Sequence, residues 1–480
     1  MSPVLGRVSG PRLVRMLGEW RDRGSRQGSA GLAAGIRLLV LDGQLPPGTA
    51  LPAERELAGS LGVSRTLVAA AWDLLRADGL IVSKRGAGSW TALPKAADRR
   101  PRPTGRESLD LARAAPAALP GVARAIDTVR GRFAAELLGH GYYEYGLDEL
   151  RERVADRFTA RGLPTGPEQV LITNGAHHGF ALVLRAMSGP GDRVLVDQPT
   201  YPNAIDAIRA AHAVPVAVSM PEEGGWDLDG VEAALRQAAP RLGYFVVDFH
   251  NPTGHRLDAE GRARLASALR RARTPVVIDE TLVELDFGDM ADAPAPMATF
   301  ESELVITVGS ASKSHWGGLR IGWVRASEEV IGRLAAARHS FDLGSPVFEQ
   351  LVLAEMYLDP EPPLRERRAD LIVLRDSLVA SVRAHCPDWT FDIPSGGLNL
   401  WCALPAPIST RLAISAQNHG VRVAPGSRFG VHGGLERRLR LPYTLPASSL
   451  DDAVRRLSLA AAAVTGSVGT VHTDGLIPVA

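Results

Sequence analysis

Apolar positions at helical spacing mark two consecutive helices within the first ninety residues. Leu57, Ala58 and Leu61 recur at the spacing of one helix face. The turn 62–64 separates them from a second apolar stripe formed by Leu67, Ala71, Leu74 and Leu75. Two helices joined by a short glycine-containing turn are typical of a helix-turn-helix. The runs 80–83 and 89–92 then predict a β-hairpin, so residues 11–94 are predicted to form a winged helix-turn-helix.

A different pattern begins near residue 109. Helical segments such as 147–161 alternate with short apolar runs at 170–173, 193–196, 243–247, 275–278 and 304–308. Helices between buried strands predict an α/β domain over 109–465, with a mostly parallel sheet covered on both faces. Residues from roughly 345 to 465 are predicted to form a smaller α+β subdomain. Residues 95–108 are predicted to be a linker and 466–480 a flexible tail.

Charge is distributed unevenly between these two parts. Residues 1–108 carry 17 Lys and Arg against 9 Asp and Glu, a net charge of +8, and the remainder of the chain carries −7. This distribution indicates a nucleic-acid module joined to a small-molecule domain, with a solvated basic face as the alternative. The two cysteines, Cys386 and Cys402, have no spacing partners for a metal site. Without a signal-type segment or an apolar run long enough for a membrane, we expect a soluble, cytoplasmic protein that contacts no membrane.

Lysine is rare in this chain. Only Lys84, Lys95 and Lys313 occur among 54 basic residues. Arginine therefore serves most surface roles, and an isolated lysine indicates chemistry that arginine does not perform. A primary amine adds to an aldehyde to form a Schiff base. Lys313 is thus a candidate Schiff-base lysine, with chance retention as the alternative.

The helix-turn-helix has residues suited to DNA. Ser64 is a candidate N-cap of the second helix, which places Arg65 and Thr66 at the turn that meets bases and phosphates. The hairpin tip runs from Lys84 through Arg85 to Gly88, and its basic residues suit the minor groove or the backbone.

This module resembles the GntR family of winged-helix regulators. The stretches DGQLPPGTALPAERELA, LGVSRTLV and RADGL carry the resemblance. It implies that Arg55, Arg65, Thr66 and the wing residues Arg85 and Gly88 contact double-stranded promoter DNA. For Arg55, a local ion pair with Glu54 or Glu56 is the alternative.

The second domain has a set of residues suited to an aldehyde cofactor with a phosphate. Around Lys313 the sequence reads VGSASKSHWGGLRIGW, in which Ser310, Ser312 and Arg320 are candidate phosphate ligands. Asp279 ends the run VVID, at the strand end where α/β folds bind ligands. An aspartate there keeps a pyridine nitrogen protonated, so that the ring withdraws electrons.

Three further segments complete this set. Asn251 in FHNPTG is placed to donate to a ring hydroxyl, and Tyr201 in DQPTYPN to stack on the ring. Gly175, Ala176 and His177 lie at a strand-to-helix junction that favours a phosphate. Each signal alone also fits an ordinary turn, a strand-end cap or a core tyrosine. Their joint order along the chain, with each signal after a predicted strand, favours a single cofactor site over these separate explanations.

From Leu109 to near Ala463 the chain resembles class I/II aminotransferases of fold-type I. The resemblance implies pyridoxal 5'-phosphate (PLP) as cofactor, and RLRLPYT implies that Arg440 binds a substrate or effector carboxylate. A surface arginine is the alternative for Arg440. Where that family has a tyrosine two residues after the aspartate, this chain has Thr281, which is retained as a candidate cofactor-binding residue, and Gly317 replaces a proline. These departures leave the covalent anchor in place but weaken the case for efficient transamination.

A GntR-like head on an aminotransferase-like body resembles the MocR-type regulators. The resemblance implies a head-to-tail, domain-swapped homodimer and a DNA affinity that responds to PLP, to a small amino compound, or to both. The alternatives are an active aminotransferase that kept a DNA-binding head, and a body that serves only for dimerisation.

Overall fold

The computed structural model describes residues 6–18, 20, 28–41, 44–84, 88–92, 108–221, 224–289 and 292–465. The predicted tail, the predicted linker apart from Ser108, and Arg85 lie outside these residues. Within them, no helix has both the length and the apolar character of a membrane span.

The head, residues 6–92, packs its helices around one apolar core. Ser64 caps the second helix of the helix-turn-helix, because its hydroxyl accepts the backbone N–H of Leu67 at 3.2 Å. The buried stripe of that helix is Val68, Ala71, Trp72 and Leu75. Leu74, expected on this face, is exposed instead, since it lies about 100° from Leu75 around the helix. The elements are β1 (Gly6–Arg7), α1 (Gly10–Leu17), α2 (Gly28–Leu41), β2 (Thr49–Ala50), α3 (Glu54–Leu61), α4 (Arg65–Ala77), β3 (Ile81–Lys84) and β4 (Gly88–Thr91).

The strands of the head form a sheet in the order β1-β2-β4-β3. Strands β3 and β4 are antiparallel and pair Ser83 with Ser89, which is the predicted hairpin. Gly62 ends α3 in the left-handed conformation, with φ of 66°, and this conformation lets the chain turn at once toward α4.

The body, residues 108–465, contains the large sheet and a smaller one. In chain order its elements are β5 (Leu109–Leu111), α5 (Pro120–Glu136), α6 (Asp148–Ala160), β6 (Val170–Thr173), α7 (Ala176–Met187), β7 (Arg193–Gln198), α8 (Pro202–Ala210), β8 (Val214–Ser219), α9 (Leu228–Ala238), β9 (Leu242–Phe245), α10 (Ala259–Ala272), β10 (Val276–Asp279), β11 (Val305–Ser310), β12 (Gly322–Arg325), α11 (Glu328–Arg338), α12 (Val347–Met356), α13 (Glu361–His385), β13 (Asn399–Ala403), α14 (Ser409–Asn418), β14 (Val421–Pro425), β15 (Arg438–Pro442) and α15 (Ala447–Thr465).

The large sheet has the order β6-β12-β11-β10-β9-β7-β8, and β12 is its only antiparallel strand among the described residues. Alternate residues of each strand enter two different apolar clusters, as Val276 and Ile278 do on one face and Val277 on the other. This alternation explains why the strands are apolar throughout: helices cover both faces. The predicted α/β class with a mostly parallel sheet is confirmed.

The small sheet has the order β13-β15-β14-β5 and shares a core with α13, α14 and α15. Its packing differs from the subdomain predicted at 345–465. Helix α12 buries Leu351 and Leu353 in the core of the large sheet, whereas β5, from the start of the body, pairs with β14. Helix periodicity does not reveal which core receives an apolar face, and strand pairing between such distant parts of the chain leaves no local signal.

Candidate functional site

A cavity of about 490 Å³ opens at the carboxyl ends of the parallel strands and is closed on its other side by the small sheet. Every residue that the sequence suggested for a cofactor or effector lies on its wall. These residues are Gly175, Ala176, His177, Tyr201, Asn251, Asp279, Thr281, Ser310, Ser312, Lys313, Arg320 and Arg440. Positions from widely separated parts of the chain therefore meet in one space.

Lys313 lies on a single π-helical turn, Ser312–Trp316, directly after β11. Its Nζ donates to the carbonyl of Ala114 at 2.6 Å. Burial, assisted by the positive charge of Arg440, lowers the pKa of this amine from 10.5 to about 8. A larger fraction of Lys313 is therefore neutral near pH 7 than in an ordinary lysine, and the neutral amine is the nucleophile.

Asp279 is held at the end of β10 by two donors. Its Oδ1 accepts the backbone N–H of Thr281 at 2.9 Å, and its Oδ2 accepts the hydroxyl of Tyr244 at 2.7 Å. Tyr244 stands on the neighbouring strand β9, and burial, followed by the negative charge of Asp279, raises the pKa of its phenol well above 10. The hydroxyl thus stays protonated and fixes the carboxylate that faces the cavity.

Gly175 and Arg320 form a cradle at the start of α7. Gly175 has φ of 95°, and a Cβ there would lie 3.1 Å from Nη2 of Arg320. The same Nη2 donates to the carbonyl of Asn174 at 2.7 Å, which holds the guanidinium beside the first turn of the helix. A helix N-terminus with an arginine over it is suited to a phosphate dianion.

The two serines of this region differ in role. Ser310 is buried, and its hydroxyl lies 3.0 Å from Oγ of Ser312 and 3.2 Å from the carbonyl of Ile321. The single hydroxyl proton of Ser310 is directed at these two acceptors, so this serine orients Ser312. Ser312 is the more exposed of the two serines.

Arg440 lies on β15 beneath the small-sheet side of the cavity. Its Nη1 donates to Oδ1 of Asn251 at 3.2 Å, its Nη2 donates to the carbonyl of Ala112, and its Cζ lies 5.0 Å from the ring centre of Phe429. Burial lowers the pKa of this guanidinium to about 10. It remains charged at neutral pH, and its Nε is buried without an acceptor among the described residues.

Two aromatic side chains form another part of the wall. Tyr201 precedes α8 and accepts a hydrogen bond from Nδ2 of Asn203 at 2.9 Å. His177 meets the Tyr201 ring edge to face at 6.3 Å between ring centres. Burial lowers the pKa of His177 below 6.5, so it contributes a neutral ring near pH 7.

The predicted DNA-contacting residues of the head lie on its surface. Ser64, Arg65 and Thr66 are exposed at the start of α4, as are Lys84 and Gly88 at the hairpin. Arg65 pairs with Glu54 at 3.3 Å. Arg55 is exposed and no described residue forms an ion pair with it, so the expected alternative of a pair with Glu54 or Glu56 is not seen.

Comparisons with known proteins now identify both parts. Residues 119–457 match the model of aminotransferase class I and II. The chain belongs to this family. Residues 29–90 match the model of bacterial regulatory proteins of the gntR family. The predicted MocR-type combination of a GntR head with an aminotransferase body is confirmed.

Three similar proteins show which parts of this chain have known relatives. A 2-aminoadipate transaminase of Thermus thermophilus is 33% identical over 312 residues, 63% of this chain and 78% of its own length. The uncharacterized HTH-type transcriptional regulator YdcR of Escherichia coli (strain K12) is 27% identical over 451 residues, which are 85% of this chain and 93% of its own length. The crystal structure of LysN, an α-aminoadipate aminotransferase from Thermus thermophilus with N-(5'-phosphopyridoxyl)-L-leucine, has a TM-score of 0.69 and 29% identity, over 75% of this chain and 93% of that one.

The aminotransferase family implies PLP, and the cavity has the donors for it. Lys313 would supply the amine, Asp279 the carboxylate for a ring nitrogen, and the cradle at Gly175 the anion site. Thr281 Oγ1 is a buried hydroxyl with no protein partner among the described residues, as expected of an atom that a ligand reaches. The residues present therefore fit this cofactor.

Two contributions to this aminotransferase cavity were missed in the sequence. Tyr244 is one, and its signal was a hydroxyl in the otherwise apolar strand LGYF. The segment Ala112–Ala115 is the other; it meets Lys313 and Arg440 through backbone carbonyls, for which the sequence carries no signal.

Proposed function

We propose that this protein is a transcription regulator in which the cofactor-loaded cavity of the body controls how the head binds promoter DNA. The observation that carries the proposal is that one chain holds both an exposed helix-turn-helix surface at the start of α4 and a cavity lined by every residue predicted to bind the cofactor. YdcR, which is described as an uncharacterized HTH-type transcriptional regulator, aligns with the head and the body together, and this supports the same interpretation.

The residues divide the work as follows. Arg55, Arg65, Thr66, Lys84, Arg85 and Gly88 contact DNA, and Ser64 orders the recognition helix. When bound, PLP supplies an aldehyde for covalent attachment and an electron-withdrawing ring. Lys313 provides the amine, Asp279 holds the ring-nitrogen proton with help from Tyr244, and Arg440 binds the carboxylate of an amino-compound effector. A ligand shifts DNA binding only through unequal affinity for two states of the protein.

Footprinting tests the regulator function. The full-length protein, with and without PLP, is applied to DNA upstream of its own reading frame. We expect a protected region with two half-sites whose extent or affinity changes with PLP. Protein that prefers no promoter fragment over bulk DNA at moderate salt would contradict the proposal.

An active aminotransferase is the second candidate, favoured by the depressed pKa of Lys313 beside a complete set of cofactor residues. Thr281 argues against it, because its short side chain replaces the tyrosine expected at that position. Rapid conversion of the cofactor band to its amine form by common amino acids would favour the enzyme.

We also propose a head-to-tail homodimer. Tyr142, Phe341 and Leu343 are exposed apolar side chains, and the two segments that carry them lie side by side, because Gly344 lies against the backbone of Tyr143. In the single chain, α2 lies beside α14, and Gly18 lies against Glu436. The 15 residues 93–107 between head and body can span up to about 50 Å. The head of one subunit is therefore also within reach of the same surface on the body of its partner.

Mixed isotopes test the head-to-tail arrangement. Labelled and unlabelled subunits are mixed, exchanged and cross-linked through carboxylates. We expect head-to-body cross-links that contain one labelled and one unlabelled peptide. Cross-links found only within one isotope would place each head on its own body.

A further inference from the structure

A second cavity, of about 20 Å³, lies beside the cofactor cavity, between α6 and the ends of β10 and β11. Val154 and Phe158 of α6 and Trp323 of β12 form its apolar side. One water molecule needs about 10–15 Å³ of such space, together with two to four polar partners. The cavity therefore has the size of a single water molecule and excludes any larger ligand.

Three polar atoms on the wall of this small cavity have no hydrogen-bond partner among the described residues. They are Nη2 of Arg161, Oε1 of Glu280 and Oγ1 of Thr281, and all three are buried. Because none of them bonds to another, a bridging molecule is needed to join them. Buried polar atoms in folded proteins are nearly always paired with protein or with ordered water. The three atoms thus mark a site for a small polar ligand.

The other charged and hydroxyl side chains on this wall already have partners. Arg157 pairs with Glu284. The hydroxyl proton of Ser310 is directed at Ser312 and at the carbonyl of Ile321. The unmet hydrogen bonds therefore belong to one group of three atoms rather than to the whole wall.

Two of these three atoms lie outside the cofactor cavity. Arg161 and Glu280 line the small cavity but not the cofactor cavity, whereas Thr281 lines both. Ser310 also lines both, but its proton is already engaged. The backbone N–H of Thr281 donates to Oδ1 of Asp279 at 2.9 Å, so the residue is held while its hydroxyl can turn. Thr281 is thus the shared hydroxyl whose direction a ligand in the small cavity would set.

The donors and acceptors of this group match one water molecule. Nη2 of Arg161 only donates, a carboxylate oxygen such as Oε1 of Glu280 only accepts, and a hydroxyl does both. A water molecule would accept from Arg161, donate to Glu280 and have its second hydrogen left for Thr281. The proton of Thr281 would then point away from the water, toward the cofactor cavity. A neutral ligand suits the site, because Arg161 and Glu280 already compensate each other through Nη1 and Oε2, which lie 2.7 Å apart.

We propose that this small cavity binds one water molecule, held by Arg161, Glu280 and Thr281, and that this water directs the hydroxyl of Thr281 at the cofactor. Arg161 and Glu280 are positioning residues, because they act on the cofactor through the water and through Thr281. The site gives the short side chain of Thr281 a defined donor direction. This inference goes beyond the proposed function, since it depends on cofactor binding by the body and not on DNA binding by the head.

A crystal structure of the PLP-loaded protein, at a resolution that shows ordered water, tests the site itself. We expect one density peak in the small cavity, about 2.7–3.2 Å from each of the three polar atoms. A small cavity without such a peak, or one in which Arg161, Glu280 and Thr281 bond directly to one another, would overturn the inference.

A cofactor titration tests the direction of the Thr281 hydroxyl. Thr281→Val keeps the shape of the side chain and removes the hydroxyl, so PLP should bind about 3- to 10-fold more weakly. Thr281→Ser keeps the hydroxyl and should stay within about twofold of the native protein. The absorbance of the bound cofactor measures both affinities. Equal PLP affinity of Thr281→Val and the native protein would contradict the donor role.

A double-mutant cycle tests whether Arg161 acts through Thr281. Arg161→Lys keeps the positive charge beside Glu280 and loses Nη2, so it should weaken PLP binding about 2- to 10-fold in the native background. In the Thr281→Val background the same change should leave PLP affinity unaltered, because the hydroxyl that the water directs is gone. Equal weakening in both backgrounds would show a structural role of Arg161 and contradict the inference.

Arg157→Lys is the matched control for that cycle. The side chain of Arg157 is 21% exposed and that of Arg161 is 20% exposed, and each pairs with a buried glutamate. None of the Arg157 nitrogens is among the buried atoms that lack a partner in the described part of the chain. Any effect of Arg157→Lys on PLP affinity should therefore be equal in both backgrounds, and an effect that vanished in Thr281→Val would contradict the inference. If a variant does not fold, the crystal structure of the native protein decides.

Discussion

The head and the body both carry arginines that we propose bind anions, but the protein holds these arginines in opposite ways. Arg65 in the head is 73% exposed and pairs with Glu54 at 3.3 Å. Arg440 in the body is 6% exposed and is fixed by Asn251 and by the ring of Phe429. The first arrangement adapts to a long phosphate backbone and is sensitive to salt. The second selects one small anion by geometry.

The lysines repeat this contrast. Lys84 is exposed on the wing, whereas Lys313 is buried in the cavity with a lowered pKa. One has the form of a mobile point charge for phosphates, and the other of a nucleophile. Solvent exposure, rather than residue type, separates the two functions.

Substitution of each lysine in turn should give the largest difference between an effect on cofactor attachment and an effect on DNA affinity. Lys313→Ala is expected to abolish the covalent cofactor band, because no other described lysine lines the cavity, and to make DNA binding insensitive to PLP. Lys84→Ala should keep the band and weaken DNA binding on all sequences alike, with the salt slope reduced by about one. Absorbance and fluorescence anisotropy measure the two effects. A band that survives in Lys313→Ala would refute the role of this residue.

Arg65→Ala should give the next largest effect. Loss of a base contact at the start of α4 is expected to cost about 1–3 kcal/mol of discrimination between operator and bulk DNA. Arg130→Ala, which removes a similarly exposed arginine of the body, is the matched control and should change nothing. Anisotropy on operator and random duplexes measures the ratio. An unaltered specificity ratio in Arg65→Ala would remove it from the recognition set.

Much of the cavity could be predicted from sequence because its residues follow strands. Asp279, Lys313 and Gly175 each come at or just after the end of an apolar run, and parallel strands bring their carboxyl ends to one edge. Tyr244 was missed because it lies within a strand and donates its hydrogen bond to Asp279 on the neighbouring strand.

In the head, too, contacts within one element could be predicted from the sequence, whereas contacts between elements could not. The Ser64 cap was predictable, because serine is a preferred N-cap residue and stands directly before the second helix, where its hydroxyl accepts the backbone N–H of Leu67. The pairing of Arg65 with Glu54 was not, because it crosses the turn between two helices and depends on their angle.

The pH dependence of cofactor loading probes burial of the amine directly. Addition to the aldehyde needs neutral Lys313, so the loading rate should rise about tenfold per pH unit below its pKa of about 8 and level off above it. Arg440→Gln removes a positive charge that lowers this pKa, so the midpoint should move to higher pH. Stopped-flow absorbance from about pH 6 to about pH 10 measures the rates.

Arg113→Gln is the control for that profile, because Arg113 lies exposed at the cavity mouth and is not among the charges that shift Lys313. Its midpoint should stay at about 8. An Arg440→Gln midpoint equal to that of the native protein would show that Arg440 does not contribute to the lowered pKa of Lys313.

Tyr244→Phe should have the smallest effect, and it separates support of the cofactor from support of the fold. The variant keeps the ring contact with Phe180 and loses the 2.7 Å bond to Asp279, so PLP affinity should fall by about 0.5–1.5 kcal/mol. Tyr443→Phe loses a comparable buried bond, to the carbonyl of Gly396 at 3.0 Å, in the core of the small sheet. Both variants should lower the unfolding temperature slightly, but only Tyr244→Phe should weaken PLP in an absorbance titration. If both weakened PLP equally, Tyr244 would act on the fold rather than on Asp279, and the backbone N–H of Thr281 would be the donor that orients that carboxylate.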